Sequence, residues 1–168
     1  MPLIKSKLST FLILALIVPA PVSAELASIN HSLMHGLGLQ SSPEPVSLMG
    51  RYRAEFRFAD SPVHLLSEIG VEVVNETDSK LLPDISMGVQ YSYDVIKYIP
   101  HGNVQIGTRG GDQSRASLRV GGGVSRIYQG GWFTFGEIAG RGWLEQTATV
   151  DALIFVGVGF THDLNELY

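Results

Sequence analysis

The chain has 168 residues, enough for one domain, with a formal charge of −4, no cysteine and 17% charged residues. The acidic balance argues against a nucleic-acid partner, and the lack of cysteine excludes a disulfide framework, a lipoprotein anchor and a thiolate metal site. Nineteen glycines in a chain that is 45% apolar point to closed, tightly turning β-structure rather than to helices.

Residues 1–24 read as a secretory signal. Lys5 and Lys7 give the positive start, 11–18 is an unbroken apolar run ended by Pro19 and Pro21, and Val22-Ser23-Ala24 fits the small-residue cleavage pattern. That apolar run is shorter than the roughly 20 residues a spanning helix needs, and no later segment is long and apolar enough. Cleavage after Ala24 leaves 25–168 as a single barrel domain, and losing Lys5 and Lys7 moves the formal charge from −4 to −6.

Eight candidate strands follow. The first, 30–39, places Leu33, Leu37 and Leu39 on one face with His31 and His35. The second, 48–59, is the clearest: Leu48, Gly50, Tyr52, Ala54, Phe56 and Phe58 oppose Arg51, Arg53, Glu55 and Arg57, with Met49 the apolar exception. In the third, 63–74, Val63, Leu65, Ile69, Val71 and Val73 oppose His64, Glu68 and Glu72. The fourth, 85–96, sets Ile85, Met87, Val89, Tyr91, Tyr93 and Val95 against Ser86, Gly88, Gln90, Ser92 and Asp94.

The fifth, 103–110, is short, with Val104, Ile106 and Thr108 opposite Asn103, Gln105 and Arg109. The sixth, 115–127, has Ala116, Leu118, Val120 and Val124 opposite Ser117, Arg119 and Ser125, and a triple glycine at 121–123 that suits a sharp bend or a crowded interior. The seventh, 132–143, is ambiguous, because Phe133 and Phe135 share a parity with Glu137 and Arg141. The eighth, 150–161, has Val150, Ala152, Ile154, Val156, Val158 and Phe160 on one face, and Asp151, Leu153 and Phe155 on the other. Either Phe160 ends this strand and a tail THDLNELY follows, or the strand runs on toward Tyr168.

Short turn signals at Asp60-Ser61-Pro62, Pro100-His101-Gly102 and Gln129-Gly130-Gly131 alternate with longer connections at 40–47, 75–84, 111–114 and 144–149. This phasing fits an up-and-down barrel with both termini on the short-turn side. Backbone groups in hydrocarbon must bond internally, so an exported chain without helices spans a membrane only as a closed barrel. Tyr52, Tyr91, Tyr98, Tyr128, Trp132, Trp143 and Phe160 near strand ends suit interfacial girdles.

Turned inward, the polar faces supply Arg51, Arg53, Arg57, Arg109, Arg119 and Arg141 against Glu55, Glu68, Glu72, Asp94, Glu137 and Asp151, six of each sign. An eight-stranded interior is filled by its own side chains, and a charge buried there must be paired. A balanced set therefore reads as an ion-pair core that closes the lumen, whereas a selective channel shows a ring of one sign. Period 2 is symmetric under inversion, however. A soluble, lipocalin-like periplasmic barrel with its greasy faces inward carries the same alternation.

The signal, the Gly- and aromatic-rich strands, and segments such as GVQYSYDVIKYIPHGNVQIG and DALIFVGVGF resemble the small outer-membrane β-barrels of Gram-negative bacteria, of which OmpA/OmpX-type domains are the best known. The resemblance implies residence in the outer membrane, contact with its lipid and lipopolysaccharide, and insertion by the barrel-assembly machinery. Some small barrels act on lipid as acyl hydrolases or transferases. Here no histidine stands beside a serine in the deacylase-like arrangement, His101 falls in a turn, and His162-Asp163 ends the last strand. His64 and Glu68 share an inward face. His31 and His35 have the i, i+4 spacing of a helical metal pair with no third ligand. The expectation is a non-enzymatic outer-membrane barrel without cofactor or metal, structural or surface-interacting through its outer loops.

Overall fold

The computed structural model describes residues 25–39, 46–74, 80–93, 97–111, 114–144 and 150–164. The signal segment lies outside them, as does Asp94. Eight strands run in chain order: β1 Leu26–Leu39, β2 Val46–Phe58, β3 Val63–Val74, β4 Lys80–Ser92, β5 Tyr98–Arg109, β6 Arg115–Ile127, β7 Trp132–Trp143 and β8 Val150–Asp163. Each pairs antiparallel with the next, and β8 returns to β1 through a ladder from Ser28↔Asp163 to Leu39↔Ala152. The sheet closes, so no strand edge is left unpaired.

Strand boundaries depart from the sequence reading at two prolines. β4 begins at Lys80 rather than 85, and β5 begins at Tyr98 rather than 103. Pro100-His101-Gly102 is therefore not a turn but part of β5. Proline removes a ladder donor, so it is tolerated where the ladder is ending and only one bond is lost. The last β4–β5 pairs are Asp84↔Arg109 at one end and Ser92↔His101 at the other. Pro83 and Pro100 each lie one residue beyond, with their carbonyls turned to this seam: Gly110 N donates to Pro83 O (2.7 Å) and Tyr93 N to Pro100 O (3.0 Å). Their missing N–H groups face the same seam, so each last rung keeps one bond of its pair and lacks the other, while Val71 and Val124 lie opposite the prolines in the neighbouring strands.

These longer strands shrink the contrast between turns and loops. All seven connections have four to six residues, so the expected long outer loop at 75–84 reduces to 75–79. The β6–β7 turn is a single 3-10 turn, Gln129–Gly131, where Gly130 and Gly131 both sit at φ +78°, a conformation that disfavours any side chain. β8 passes Phe160 and ends at Asp163, with Leu164 N bonded to Ala27 O (3.0 Å). β1 starts at Leu26, and His31 and His35 lie on it as strand residues. Four strand residues span about 13 Å, which separates the two imidazoles too far to share a metal.

Closure decides what alternation left open. Leu33, Leu48, Ile69, Ile85, Met87, Val120, Ile138 and Val156 are exposed on the outside, while Arg51, Arg53, Glu68, Glu72, Arg119, Glu137 and Arg141 are buried within. The apolar faces point out, so the inverted, lipocalin-like arrangement is excluded. The exposed aromatics Tyr91, Tyr93, Tyr98, Tyr128, Trp132 and Phe160 all gather at the end that carries the termini. Among the described residues the opposite rim has aliphatic side chains instead. Tyr52 lies at mid-height, where its hydroxyl and His31 Nδ1 share a hydrogen bond of 2.5 Å that satisfies both on an apolar surface. Trp143 does not belong to a girdle at all; it is buried in the lumen.

Candidate functional site in the barrel lumen

Strand period 2 delivers one inward residue in every two, and the ladder registers stack those residues into layers. The first layer is apolar. Phe155 lies directly opposite Gly36, Phe135 opposite Gly157, and Phe133 opposite Gly159. A Cβ at Gly36 would collide with the Phe155 ring, and one at Gly157 with the Phe135 ring. These glycines therefore let aromatic rings lie against the barrel wall. Met34, Met49, Ala139 and Leu153 join the rings in one buried cluster along β7, β8, β1 and β2.

Arginines cover the inner faces of those rings. The guanidinium carbon of Arg53 is 5.3 Å from the Phe135 centroid, and those of Arg51 and Arg119 are each 5.4 Å from Phe155. Nearer the opposite end, Arg109 and Arg141 stand 4.4 and 4.5 Å from Trp143. The Trp143 indole N–H donates to Asp151 Oδ2 at 3.0 Å, so the buried ring has its polar edge satisfied. This packing explains the mixed parity of β7. Phe133, Phe135, Glu137, Arg141 and Trp143 all point inward, the rings serving as a floor for the cations.

The carboxylates meet the arginines from the other wall. Glu68 on β3 accepts from Arg53 Nε (2.7 Å), Arg51 Nη1 (3.3 Å), Gln105 Nε2 (2.9 Å) and, in a short contact, Arg119. Arg53 also reaches Glu137 on β7 (2.8 Å). Glu72 takes a bidentate pair from Arg141, Nη1 to Oε2 at 2.7 Å and Nη2 to Oε1 at 2.9 Å, with Arg109 at 3.4 Å. Two parallel N–H···O bonds fix both position and plane. Since β3 and β7 are four strands apart in a ring of eight, the Glu72–Arg141 pair crosses the full width of the lumen. Arg141 also binds Asp151 (3.0 Å) on the adjacent strand.

Of the inward charges read from the sequence, all within the described residues face the lumen. Arg57 sits at the rim nearest the termini, its side chain partly exposed and 3.8 Å from Glu55. Asp84 was missed. It is buried and pairs with Arg51 Nη1 at 2.9 Å. It lies in phase with Ser86 and Gln90, and extending that alternation back past Pro83 would have found it. His101, expected in a turn, is buried on β5 with Nε2 3.6 Å from Glu137. His64 shares the inward face of Glu68, but its partner is Glu55, Nδ1 to Oε1 at 2.5 Å.

Voids of about 20 Å³ beside Asn30, Glu55 and Gln90 and about 10 Å³ beside Arg51, Asp84 and Arg119 interrupt this packing. Each is on the scale of one water. A shallow vestibule of about 550 Å³ opens at the terminal end between Ser28, Arg57, Asp60, His64 and Tyr93. Among the described residues no hydroxyl of serine or threonine bonds His64, whose neighbour Ser92 instead accepts from Gln90 Nε2 (3.1 Å). No group of three His, Asp or Glu side chains there could hold a metal.

No known family profile matches the chain, and no curated protein matches it by sequence. Solved structures do. The N-terminal β-barrel domain of Pseudomonas aeruginosa OprF superposes with a TM-score of 0.60 at 11% identity, over 82% of this chain and 98% of that one. Neisserial surface protein A (NspA) gives 0.57 at 12% identity, also over 82% and 98%. A de novo designed transmembrane β-barrel gives 0.53 at 14%, with the same coverage. At these identities the likeness is one of fold. An all-β chain whose eight antiparallel strands close up-and-down, greasy outside and ion-paired inside, has the fold of the small outer-membrane β-barrels.

Proposed function

We propose that this protein is a non-enzymatic outer-membrane barrel, exported through residues 1–24, whose lumen is sealed by its own ion pairs and whose role is structural or surface-interacting. The observation that carries the reading is the Glu72–Arg141 pair, which joins opposite walls through a bidentate contact. Around it both signs alternate in space, so no path of one charge runs through the barrel. The exposed aliphatic band is suited to outer-membrane lipid and lipopolysaccharide, and the closed sheet to insertion by the barrel-assembly machinery. The connections at the end opposite the termini are then the parts that meet a surface partner.

Electrical recording in planar bilayers tests the seal. The protein should insert without producing conductance steps of general-porin size. Large, stable steps would overturn the sealed lumen and make permeation the function.

A further inference from the structure

One side chain breaks the apolar rule of the outer surface. Among the described strand residues that face outward, Arg126 near the end of β6 is the only lysine, arginine, aspartate or glutamate. It sits at the terminal end, level with the exposed aromatics. Tyr98 lies directly across the ladder on β5 and Thr134 on β7. Its guanidinium carbon stands 5.8 Å from the Tyr98 centroid and 5.2 Å from that of Tyr128. The Tyr128 hydroxyl is in turn held to Thr134 Oγ1 at 3.3 Å. No ion pair joins Arg126 to a described carboxylate, in contrast to the paired arginines of the lumen.

Two tyrosine rings attract a guanidinium through its charge and use none of its N–H groups as hydrogen-bond donors to a carboxylate. The N–H edge matches a phosphate bidentately. An outward arginine is costly in hydrocarbon and tolerated near the interface, so its depth coincides with the headgroups. Exposed Lys97, one residue before Tyr98, adds a second positive charge at the same rim.

We propose that Arg126, held between Tyr98 and Tyr128, binds the phosphate of a phospholipid headgroup in the leaflet at the end of the barrel that carries the termini. The proposal rests on the membrane-spanning reading given above, so insertion is scored first. The protein is folded into bilayers of phosphatidylethanolamine and phosphatidylglycerol, and insertion is read from gel mobility with and without boiling. It is then released into mild detergent and retained lipid is counted by native mass spectrometry. Failure of the unmodified protein to insert would overturn the membrane reading itself.

With insertion established, the unmodified protein should hold one phospholipid, and Arg126→Gln should weaken that retention about tenfold or more, as loss of a charged hydrogen bond does. Arg126→Lys should fall between, because an ammonium lacks the planar fork. Tyr98→Leu keeps the charge and should still lower retention several-fold; it decides the matter if the glutamine variant does not fold. Unchanged retention in the folded variants would overturn the site. Displacement of the lipid by inorganic phosphate as readily as by added phospholipid would assign the site to soluble anions and overturn the headgroup.

Discussion

Glu68 concentrates the electrostatics of the lumen in one carboxylate. It faces Arg51, Arg53 and Arg119 and is fully buried. Replacing it with glutamine leaves three guanidinium groups short of a counter-charge where water cannot supply one. Breaking a buried pair in this way costs about 3–5 kcal/mol. Arg57, its side chain partly exposed at the rim and 3.8 Å from Glu55, is a useful contrast, since solvent there screens part of its charge. Denaturant unfolding of the bilayer-embedded protein should therefore show Glu68→Gln strongly destabilised and Arg57→Gln clearly less so. Equal effects would mean that the lumen is wetter than its packing implies.

At the level of the strand, each element turns a side chain outward and a side chain to the lumen in turn. β7 shows both duties most plainly. Ile138 is exposed at its middle between inward Glu137 and Ala139. Arginine placed outward at mid-height should cost about 2–4 kcal/mol, and near the rim about 0–1 kcal/mol. Unfolding free energies of Ile138→Arg and of Val150→Arg, at the far end of β8, should separate by that margin. Similar values for both would show that the outer face meets water. The glycines serve the strands differently: Gly36, Gly157 and Gly159 are sites where a ring on the next strand needs the space of a missing Cβ.

For the whole molecule, closure is the property with a direct readout. Every strand is hydrogen-bonded on both sides, so detergent finds no edge at which to begin unzipping the sheet. Membrane-extracted protein should run faster in SDS unboiled than boiled. Identical mobility, with the protein recovered from the soluble fraction, would contradict a spanning barrel. The whole-molecule view also explains the one-sided aromatic belt. Tyr91, Tyr98, Tyr128, Trp132 and Phe160 come from β4 to β8, and only the antiparallel order of strand ends brings them to one rim.

Much of this was legible in the chain. Period 2 alone placed Arg51, Arg53 and Glu55 on one face of β2 and Glu68 and Glu72 on one face of β3, because a pleated backbone offers no other choice. It failed at Pro83 and Pro100, where residue type argued for a turn. The position at the end of the β4–β5 ladder, which makes proline tolerable, is not written in local sequence. It also failed to interpret β7, since Phe135 beside Glu137 reads as disorder of the pattern until Gly157 is seen across the ladder and Arg53 above the ring. The Asp84–Arg51 pair was hidden for the same reason as the start of β4.

What the sequence by itself determined was which residues travel together: the two faces of each strand and the number of strands. Backbone geometry sets these locally, over a few residues. Which face turns inward, and which carboxylate meets which guanidinium, were decided only by the tertiary structure. Arg53 and Glu137 are separated by 84 positions, and Arg141 and Glu72 by 69. Only the closing of β8 onto β1 fixes the diameter and register at which such distant side chains come within hydrogen-bonding reach.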